Sequence, residues 1–273
     1  MRDHTEEQLH LLLSHVDDLI RRAEQGSVGV TSFLTMREQI EIDRHIGSAG
    51  RKKTVFWGGC EGSERKMLFC LPDYIVDAFE LSVRELGSTE LRPWLGEIWE
   101  ESLLALRVRG SGYRELEHRS YLGSLLSLGV ERAVVGDIVV QGPHEALVFC
   151  ERRISDYLLS EWKTVGADTV KVSLAALPED FTVERRFQMI HDTVASERLD
   201  CILAALTNLS REKAQGMIRA GLVEVDFLTE QRPDRAVPEG AMLSVRGYGR
   251  YEVIGTDGVT RKGRLRLHAK KFI

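Results

Sequence analysis

Apolar side chains recur at the helical period of three to four residues in two neighbouring segments, residues 196–206 and 210–221. In the second segment Ser210 is a candidate N-cap, and Gly221 supplies the left-handed residue that often ends a helix. Residues 222–226 alternate between apolar and polar, which predicts a strand. The pattern therefore predicts a helix, a turn, a second helix and a strand within about thirty residues.

The second of these helices is predicted to have two different faces. Ala214, Met217 and Ile218 keep the spacing of a buried stripe. Another face carries basic and amide residues that recur every four positions, namely Arg211, Gln215 and Arg219. One side of the helix therefore packs, and the other carries positive charge and an amide.

Strand-like and helix-like segments alternate between Leu103 and Leu177. Strands are predicted over residues 103–108, 133–140, 146–150 and 169–174, and helices over residues 113–128 and 154–162. The order β-α-β-β-α-β predicts the ferredoxin-like arrangement that RNA-recognition-motif domains share. Those domains stack bases on exposed aromatic residues of the central strands, and the two predicted central strands here, residues 103–108 and 146–150, offer only Phe149. A scaffold or protein-contact role therefore stays open beside RNA binding.

The first hundred residues are predicted to contain two helices, residues 5–25 and 35–46, with the second ending at Gly47. Two strands follow, residues 54–57 and 67–70, separated by a glycine-rich loop. The loop lacks the order G-x-x-x-x-G-K-[ST] and no helix follows it, so a hairpin is favoured over a nucleotide site. Residues 75–81 are predicted as a strand that leads into a turn at Pro93–Trp94.

Together these elements predict an α+β, multidomain protein. Residues 1–80 form an N-terminal α/β region, residues 81–178 the RNA-recognition-motif-like domain, and residues 182–273 the helix-turn-helix-strand domain. Pro178 and the two acids after it mark the second boundary.

Charge is distributed unevenly along the chain. The net charge is −5, which by itself argues against a nucleic-acid binder. Residues 182–273, however, hold sixteen Lys and Arg against twelve Asp and Glu, a net +4, which leaves −9 for residues 1–181. The basic domain is thus the candidate for binding a polyanion.

Four scattered cysteines, Cys60, Cys70, Cys150 and Cys201, form no C-x-x-C pair, which favours buried thiols over disulfides or a zinc site. The first residues are acidic, and we find neither a signal-like segment nor an apolar run of membrane-spanning length. We therefore expect a cytoplasmic protein with no membrane span, and we expect no cofactor, metal site or catalytic residue.

The basic domain resembles a known module. The matching residues are Arg198-Leu199-Asp200, Ser210-Arg211, Ala214-Gln215, Ile218, Gly221 and Val223-x-Val225. They resemble the RNA-binding domain first recognised in small-subunit ribosomal protein S-four. Where that family usually places Asn-Gly after the second Val, this chain has Asp226-Phe227.

Strings along the whole chain are similar to the bacterial YlmH family. They are Phe33-Leu34-Thr35-x-Arg37-Glu38-Gln39, Gly58-Gly59, Glu64-Arg65-Lys66, His118-Arg119-x-x-Leu122-Gly123, Leu128-Gly129-x-x-Arg132, Gly136-Asp137-Ile138 and Leu243-x-Val245-Arg246-Gly247-Tyr248-Gly249-Arg250. The family usually has His-Arg-Asp where this chain has His118-Arg119-Ser120. The resemblance implies a non-enzymatic protein that binds ribosomal RNA or tRNA on the large ribosomal subunit. It also implies a role in the rescue of obstructed subunits, and a link to cell division.

The candidate RNA-binding residues are Arg198, Ser210, Arg211, Lys213, Gln215, Arg219, Arg246, Tyr248 and Arg250. We expect the cations to neutralise phosphates, and Ser210 and Gln215 to donate hydrogen bonds to the RNA backbone or 2′-OH groups. The final strand adds Arg264, Arg266 and His268 on one side, each with a face open to phosphate.

Several local alternatives remain open. Arg198 and Asp200 either serve RNA binding or only cap and pair locally, and His118-Arg119 contacts RNA or pairs within its own helix. Tyr248 and Tyr251 either stack on bases or pack. At the level of function, the alternatives are an RNA-modifying enzyme of the pseudouridine-synthase type and an adaptor whose acidic N-terminal region docks a protein partner.

Overall fold

The computed structural model describes residues 6–79, 86, 88–178, 180–183 and 186–272. The chain divides into two compact units, Met1–Val183 (unit 1) and Glu184–Ile273 (unit 2). The division into three domains at residues 80 and 178 stays a prediction. Within the described residues, we find no helix with the length and apolar character that crossing a bilayer requires.

Unit 1 begins with a small three-stranded sheet flanked by two helices. In chain order these elements are α1 (Glu6–Glu24), β1 (Gly29–Val30), α2 (Met36–Lys52), β2 (Thr54–Trp57) and β3 (Met67–Cys70), and the sheet order is β1-β3-β2. Thr35 and Glu38 form a capping box that starts α2. Gly47 has φ 60° and ψ −164°, outside the helical region, so the first helical segment ends there as predicted, and a second segment continues across the kink to Lys52. β2 and β3 pair antiparallel, which confirms the predicted hairpin.

The segment after β3 is helical, contrary to our prediction. Residues 73–76 form α3 (Asp73–Val76) and not a strand, and Pro93 lies inside α4 (Ser88–Ser102) and not in a turn. Glu80 and Leu81, the end of the predicted strand, lie outside the described residues. Interior proline costs a helix about 3 kcal/mol. Here burial of Leu91, Leu95 and Trp99 on one helix face, at about 1.5–3 kcal/mol for each large side chain, outweighs that cost.

The rest of unit 1 has the predicted β-α-β-β-α-β order. Its elements are β4 (Leu103–Gly110), α5 (His118–Ser127), β5 (Val135–Gly142), β6 (Glu145–Glu151), α6 (Ser155–Glu161), β7 (Thr164–Val165) and β8 (Asp168–Leu174). The sheet order β5-β6-β4-β8-β7, with all neighbours antiparallel, confirms the ferredoxin-like arrangement. Helix α5 starts later than predicted because the Leu116 amide donates to Pro143 O at 2.7 Å and holds the preceding segment as a loop.

The two faces of this sheet are covered differently. Helices α5 and α6 cover one face and bury Tyr121, Leu125 and Leu158 with it. On the other face Phe149 is 1% exposed and packs in one cluster with Trp57 and Trp99, whose rings stack with centroids 4.6 Å apart. The aromatic position that an RNA-recognition-motif domain would offer to a base is therefore buried.

Unit 2 is a six-stranded antiparallel sheet with two helices. The elements are β9 (Phe187–Val194), α7 (Leu199–Thr207), α8 (Arg211–Arg219), β10 (Val223–Val225), β11 (Leu228–Thr229), β12 (Met242–Val245), β13 (Gly249–Val259) and β14 (Leu265–Phe272), in the sheet order β11-β10-β12-β13-β14-β9. This confirms the predicted helix, turn, helix and strand. Strands β9, β11, β12 and β13 were not predicted.

Local sequence explains the ends of the two helices. Asn208 ends α7 in the left-handed conformation, with φ 54°. Ser210 caps α8, because its side chain accepts a hydrogen bond from the Lys213 amide. Gly221 has φ 68°, and the amides of Gly221 and Leu222 donate back to Ile218 O and Met217 O, which is a Schellman ending.

The four cysteines are buried, as predicted. Burial raises the pKa of the Cys60 thiol to about 11 and that of Cys150 to about 12. Both thiols are therefore protonated at neutral pH.

Candidate nucleic-acid interface

The centre of the candidate interface in unit 2 is the carboxylate of Asp200. Its side chain is 0% exposed and lies in the first turn of α7. Arg198 Nε donates to Oδ1 at 3.1 Å, Arg211 Nε donates to Oδ2 at 2.9 Å, and Gln215 Nε2 donates to Oδ2 at 2.7 Å. Arg211 and Gln215 lie one helical turn apart on α8, so both side chains reach the same carboxylate.

The protonation state of Asp200 follows from these contacts. Burial acts to raise the pKa of the carboxyl group, but hydrogen bonds from Arg198, Gln215 and Arg211 outweigh it and hold the pKa well below the ordinary value. Asp200 is therefore ionised at every physiological pH. A fixed negative charge of this kind orients the two guanidinium groups that surround it.

Three of the predicted site residues thus converge on one group. Arg198 does pair with Asp200, as the local alternative stated, but the same carboxylate also joins it to Arg211 and Gln215. The pairing leaves much of both guanidinium groups at the surface, since the side chains of Arg198 and Arg211 are 42% and 53% exposed. Each arginine can therefore be held by Asp200 and still present charge to a ligand.

Three further predicted cations lie on the surface near α8. Lys213 and Arg219 are exposed on α8 itself. Arg246 is exposed too, and its amide donates to Leu222 O at 3.0 Å, which places it beside the end of α8. Ser210, in contrast, uses its side-chain oxygen to cap the helix.

The two tyrosines contribute mainly to packing. Tyr251 is 1% exposed and belongs to the core of unit 2. Its hydroxyl donates to Tyr248 O at 3.2 Å, and the half-buried Tyr248 ring packs against the same core. For Tyr251 the packing alternative is therefore correct.

Arg250 is positioned by the turn that departs from the Asn-Gly pattern. Asp226 and Phe227 form a two-residue hairpin turn with φ 50° and 63°, the mirror-image type that Asn-Gly usually supplies. Asp226 Oδ1 accepts the Met242 amide at 2.9 Å, which supports the turn. The guanidinium carbon of Arg250 lies 5.6 Å from the centre of the Phe227 ring, within the range of a cation–π contact.

A second buried carboxylate that binds two arginines lies in unit 2, and it was not predicted from the sequence. Glu230 is 7% exposed, and its carboxylate accepts hydrogen bonds from Arg232 Nε at 3.2 Å and Arg235 Nη1 at 2.8 Å. Burial raises the pKa of Glu230, but the bonds from Arg232 and Arg235 outweigh it and lower the pKa to about 2.

This second cluster lies against the first turn of α7. The Leu199 amide donates to Arg235 O at 2.8 Å, and the Asp200 amide donates to Pro233 O at 3.0 Å. The only sequence signal for it is one acid followed by two arginines within six residues, a spacing that has no meaning until the loop folds back on α7.

Two of the three basic residues of the final strand have partners within unit 2, and their predicted contact with phosphate stays a prediction. Arg264 Nε donates to Thr193 Oγ1 at 3.0 Å, and His268 Nε2 lies 3.0 Å from Asp257 Oδ1. Strand β14 is covered on both edges by β13 and β9, so these side chains meet partners on the neighbouring strands. Arg264 and Arg266 are both exposed, whereas His268 is half-buried.

In unit 1 the strings that resemble the YlmH family meet at one place and are largely structural. The Asp137 carboxylate accepts the amides of Glu64 and Arg65 at 2.6 and 3.0 Å, which ties the β2–β3 loop to β5. Arg65 donates to Val135 O at 2.9 Å and to Phe33 O at 2.8 Å.

Two further members of these strings are explained by the same junction. A Cβ at Gly136 would lie 2.6 Å from the Phe33 ring, so only glycine fits there. Burial and the nearby Arg65 lower the pKa of Arg132 to about 10. Arg119 pairs with Glu117 at 2.7 Å, which supports the local-pairing alternative for that residue.

Comparison with known proteins finds a family, a relative and a solved structure that are similar to this chain. Residues 102–179 match the family described as "Putative RNA-binding domain in YlmH". The chain is 30% identical to the Bacillus subtilis (strain 168) protein named "Ribosome-associated protein quality control protein P2" over 245 residues, which cover 89% of this chain and 87% of that protein. A solved structure, "Cell division protein ylmH from Streptococcus pneumoniae", is similar with a TM-score of 0.45 at 15% identity, over 64% of this chain and 96% of that one. The identity across nearly the whole length of both proteins, with the matching domain, shows that the chain belongs to the YlmH family of RNA-binding proteins.

Proposed function

We propose that this protein binds structured ribosomal RNA or tRNA through unit 2 and acts, without catalysing a reaction, in quality control on the large ribosomal subunit. The observation that carries the proposal is the pair of half-exposed guanidinium groups, Arg198 and Arg211, that the buried Asp200 carboxylate holds in place. Guanidinium groups fixed in this way are ready to contact phosphate without further ordering of long side chains.

The surroundings of Asp200 have the charge that RNA requires. Lys213, Arg219 and Arg246 add three exposed cations along and beside α8. Contacts from these groups would read the shape of the RNA backbone and not its base sequence. Specificity for one ribosomal site would then depend on the geometry of the RNA.

The relatives support the ribosomal setting. The name of the Bacillus subtilis relative connects that protein with the ribosome and with protein quality control. We extend this role to the present chain, with the cytoplasm as its location, and we propose that any link to cell division is indirect.

One observation argues against the enzymatic alternative. Pseudouridine synthases act through an aspartate in a Gly-Arg-Leu-Asp setting, and the only Arg-Leu-Asp of this chain ends in Asp200. That carboxylate has 0% exposure and is occupied by three side-chain donors, so it is unsuited to contact a nucleotide. A change in the nucleoside composition of ribosomal RNA after incubation with the purified protein, measured by mass spectrometry, would restore the enzyme alternative.

The test of the proposed function is co-sedimentation with separated ribosomal subunits over a series of salt concentrations. We expect the protein to sediment with the large subunit and to be released by salt, because each neutralised phosphate releases counterions. The double variant Arg211→Ala, Arg219→Ala should stay in the supernatant. The matched control, Arg261→Ala with Lys262→Ala, removes two exposed cations after the far end of β13 and should sediment like the parent.

Equal sedimentation of the parent and the Arg211→Ala, Arg219→Ala variant would contradict the proposal. The adaptor alternative needs a different test, because removing the first hundred residues would uncover Phe149 and the rest of its cluster. Reversing exposed acids of α1, as in Asp18→Lys with Glu24→Lys, leaves the core intact. Loss of a co-purifying protein with unchanged ribosome binding would favour the adaptor.

A further inference from the structure

The five-stranded sheet of unit 1, β5-β6-β4-β8-β7, has one face that the first hundred residues cover only in part. The rest of that face is exposed. Leu103 and Ala105, at the start of β4, are buried in the covered part with Phe149. Further along the same strand and on the same face come Arg107 and Arg109, whose side chains are 39% and 61% exposed. Along one face of β4, buried apolar side chains are thus followed by exposed basic side chains within seven residues.

The neighbouring strands complete a basic surface. Arg109 pairs across the sheet with the exposed Lys171 of β8 on one side and with Glu145 of β6 on the other. Glu145 is shared by both arginines, at 3.4 Å from Arg107 Nε and 2.9 Å from Arg109 Nε. Two arginines therefore share one carboxylate, and Lys171 adds a third cation on the other side of β4, so the surface has a net positive charge and attracts anions.

An exposed aromatic residue follows the end of this strand. Tyr113 is 93% exposed, three residues after Gly110. Burial of a tyrosine ring is favourable, so a ring that is almost fully exposed is a candidate for contact with a ligand. Only three residues separate Tyr113 from Arg109 in the chain, so the ring can serve as a platform for a base whose phosphate that cation binds.

The loop that carries Tyr113 is held in shape by a buried acid. Asp168, 5% exposed, accepts hydrogen bonds from the Ser111 amide at 3.0 Å and from the Ser111 hydroxyl. The Tyr113 amide donates to Ser111 Oγ at 3.3 Å, and a ring nitrogen of His144 lies 2.8 Å from Arg114 O. The ring is therefore presented by an ordered loop, which reduces the entropy lost when a ligand binds.

We infer that Arg107, Arg109, Lys171 and Tyr113 form a second RNA contact, which binds an unpaired segment: the cations hold its phosphates and a base stacks on Tyr113. The inference rests on the proposed function, because it assumes that the protein meets RNA. It differs from the usual mode of RNA-recognition-motif sheets, whose central aromatic position is buried here at Phe149. Unpaired RNA is the ligand that fits, since a base inside a duplex cannot stack on an exposed ring.

The test measures binding of a fluorescent single-stranded oligouridine of about twelve nucleotides to the full-length protein by fluorescence anisotropy. Tyr113→Ala should weaken binding about tenfold, and Tyr113→Trp should retain it, because stacking on one ring contributes that much. Arg109→Gln with Lys171→Gln should lower the slope of log affinity against log salt by about 1–2, one for each lost phosphate contact. Tyr74→Ala, which removes another exposed tyrosine of unit 1, is the matched control and should bind like the parent.

The same measurements in the Arg211→Ala, Arg219→Ala background separate this contact from that of unit 2. The effect of Tyr113→Ala should persist there, and it should vanish with a double-stranded probe of the same length. If the parent sediments with ribosomes but neither Tyr113→Ala nor Arg109→Gln with Lys171→Gln changes the affinity for oligouridine, the inference is overturned and the proposed function stands. If the parent binds neither ribosomes nor oligouridine, both are overturned.

Discussion

Arg211 Nε donates a hydrogen bond of 2.9 Å to Oδ2 of Asp200, which joins the first turn of α8 to the first turn of α7. The bond gives one arginine two tasks. It fixes the angle between the helices of unit 2, and it leaves half of the side chain exposed to a ligand. Stability and RNA binding are therefore linked at this residue, and the predictions for unit 2 follow from that link.

Replacing Asp200 with Asn should destabilise the protein by about 3 kcal/mol, because a buried charge partner of two arginines is lost. The pKa of Asp200 is lowered by folding, so its contribution is present above the ordinary aspartate pKa and is lost only as the pH falls far below it. The measurement is urea unfolding at neutral pH. Glu212→Gln, at an exposed acid of α8, is the control and should change stability by less than about 0.5 kcal/mol. Equal stability of Asp200→Asn and the parent would show that the cluster does not hold the helices.

Arg211→Ala and Arg219→Ala should differ in their effect on stability while both weaken RNA binding. Arg211 contacts Asp200, so its loss should lower the unfolding free energy by about 1–3 kcal/mol. Arg219 is exposed on the last turn of α8, and its loss should cost less than about 0.5 kcal/mol. Thermal unfolding and ribosome co-sedimentation of both variants check the prediction. It fails if the two variants lose the same stability.

Glu230 should make the stability of the protein depend on pH in the acidic range. Its pKa is lowered from 4.5 to about 2 by folding, so its contribution is fully present above about pH 4.5 and is lost as the pH falls through about 2. We expect about 1–3 kcal/mol, because Arg232 is exposed and solvent screens part of the attraction. Urea unfolding of the parent and of Glu230→Gln from pH 6 to pH 2 measures the difference. A gap between the two that stays constant over this range would contradict the assignment.

Phe149→Leu should reduce stability without changing RNA affinity. The ring is 1% exposed under Trp57 and Trp99, so a smaller side chain leaves a cavity and costs about 1–3 kcal/mol. No RNA contact is lost, because the ring is not available to a base. Unfolding in urea and oligouridine binding at a temperature where both proteins are folded test the two parts. A tenfold loss of affinity in folded Phe149→Leu would mean that this face of the sheet opens to RNA.

Much of the fold could be predicted from local sequence signals. The capping residue Ser210 and the left-handed Gly221 define α8, and apolar periodicity defines the order β-α-β-β-α-β, because these signals act between residues close in the chain. Strands β9 and β13 escaped prediction because their exposed positions dilute the alternation of apolar and polar residues. The turn predicted at Pro93 is wrong because proline is a strong local signal for a turn, whereas α4 is stabilised by burial against residues far away in sequence.

For the candidate site, the sequence by itself determined which residue types are present and that residues 182–273 carry a net positive charge while the rest of the chain is acidic. Only the tertiary structure decided how they are used. It buried Asp200 and brought Arg198, Arg211 and Gln215 to it, it folded Arg232 and Arg235 around Glu230, and it covered Phe149 while exposing Tyr113. The order of charges along the chain does not determine which carboxylate is buried away from water. Burial depends on the packing of segments that lie far apart in sequence.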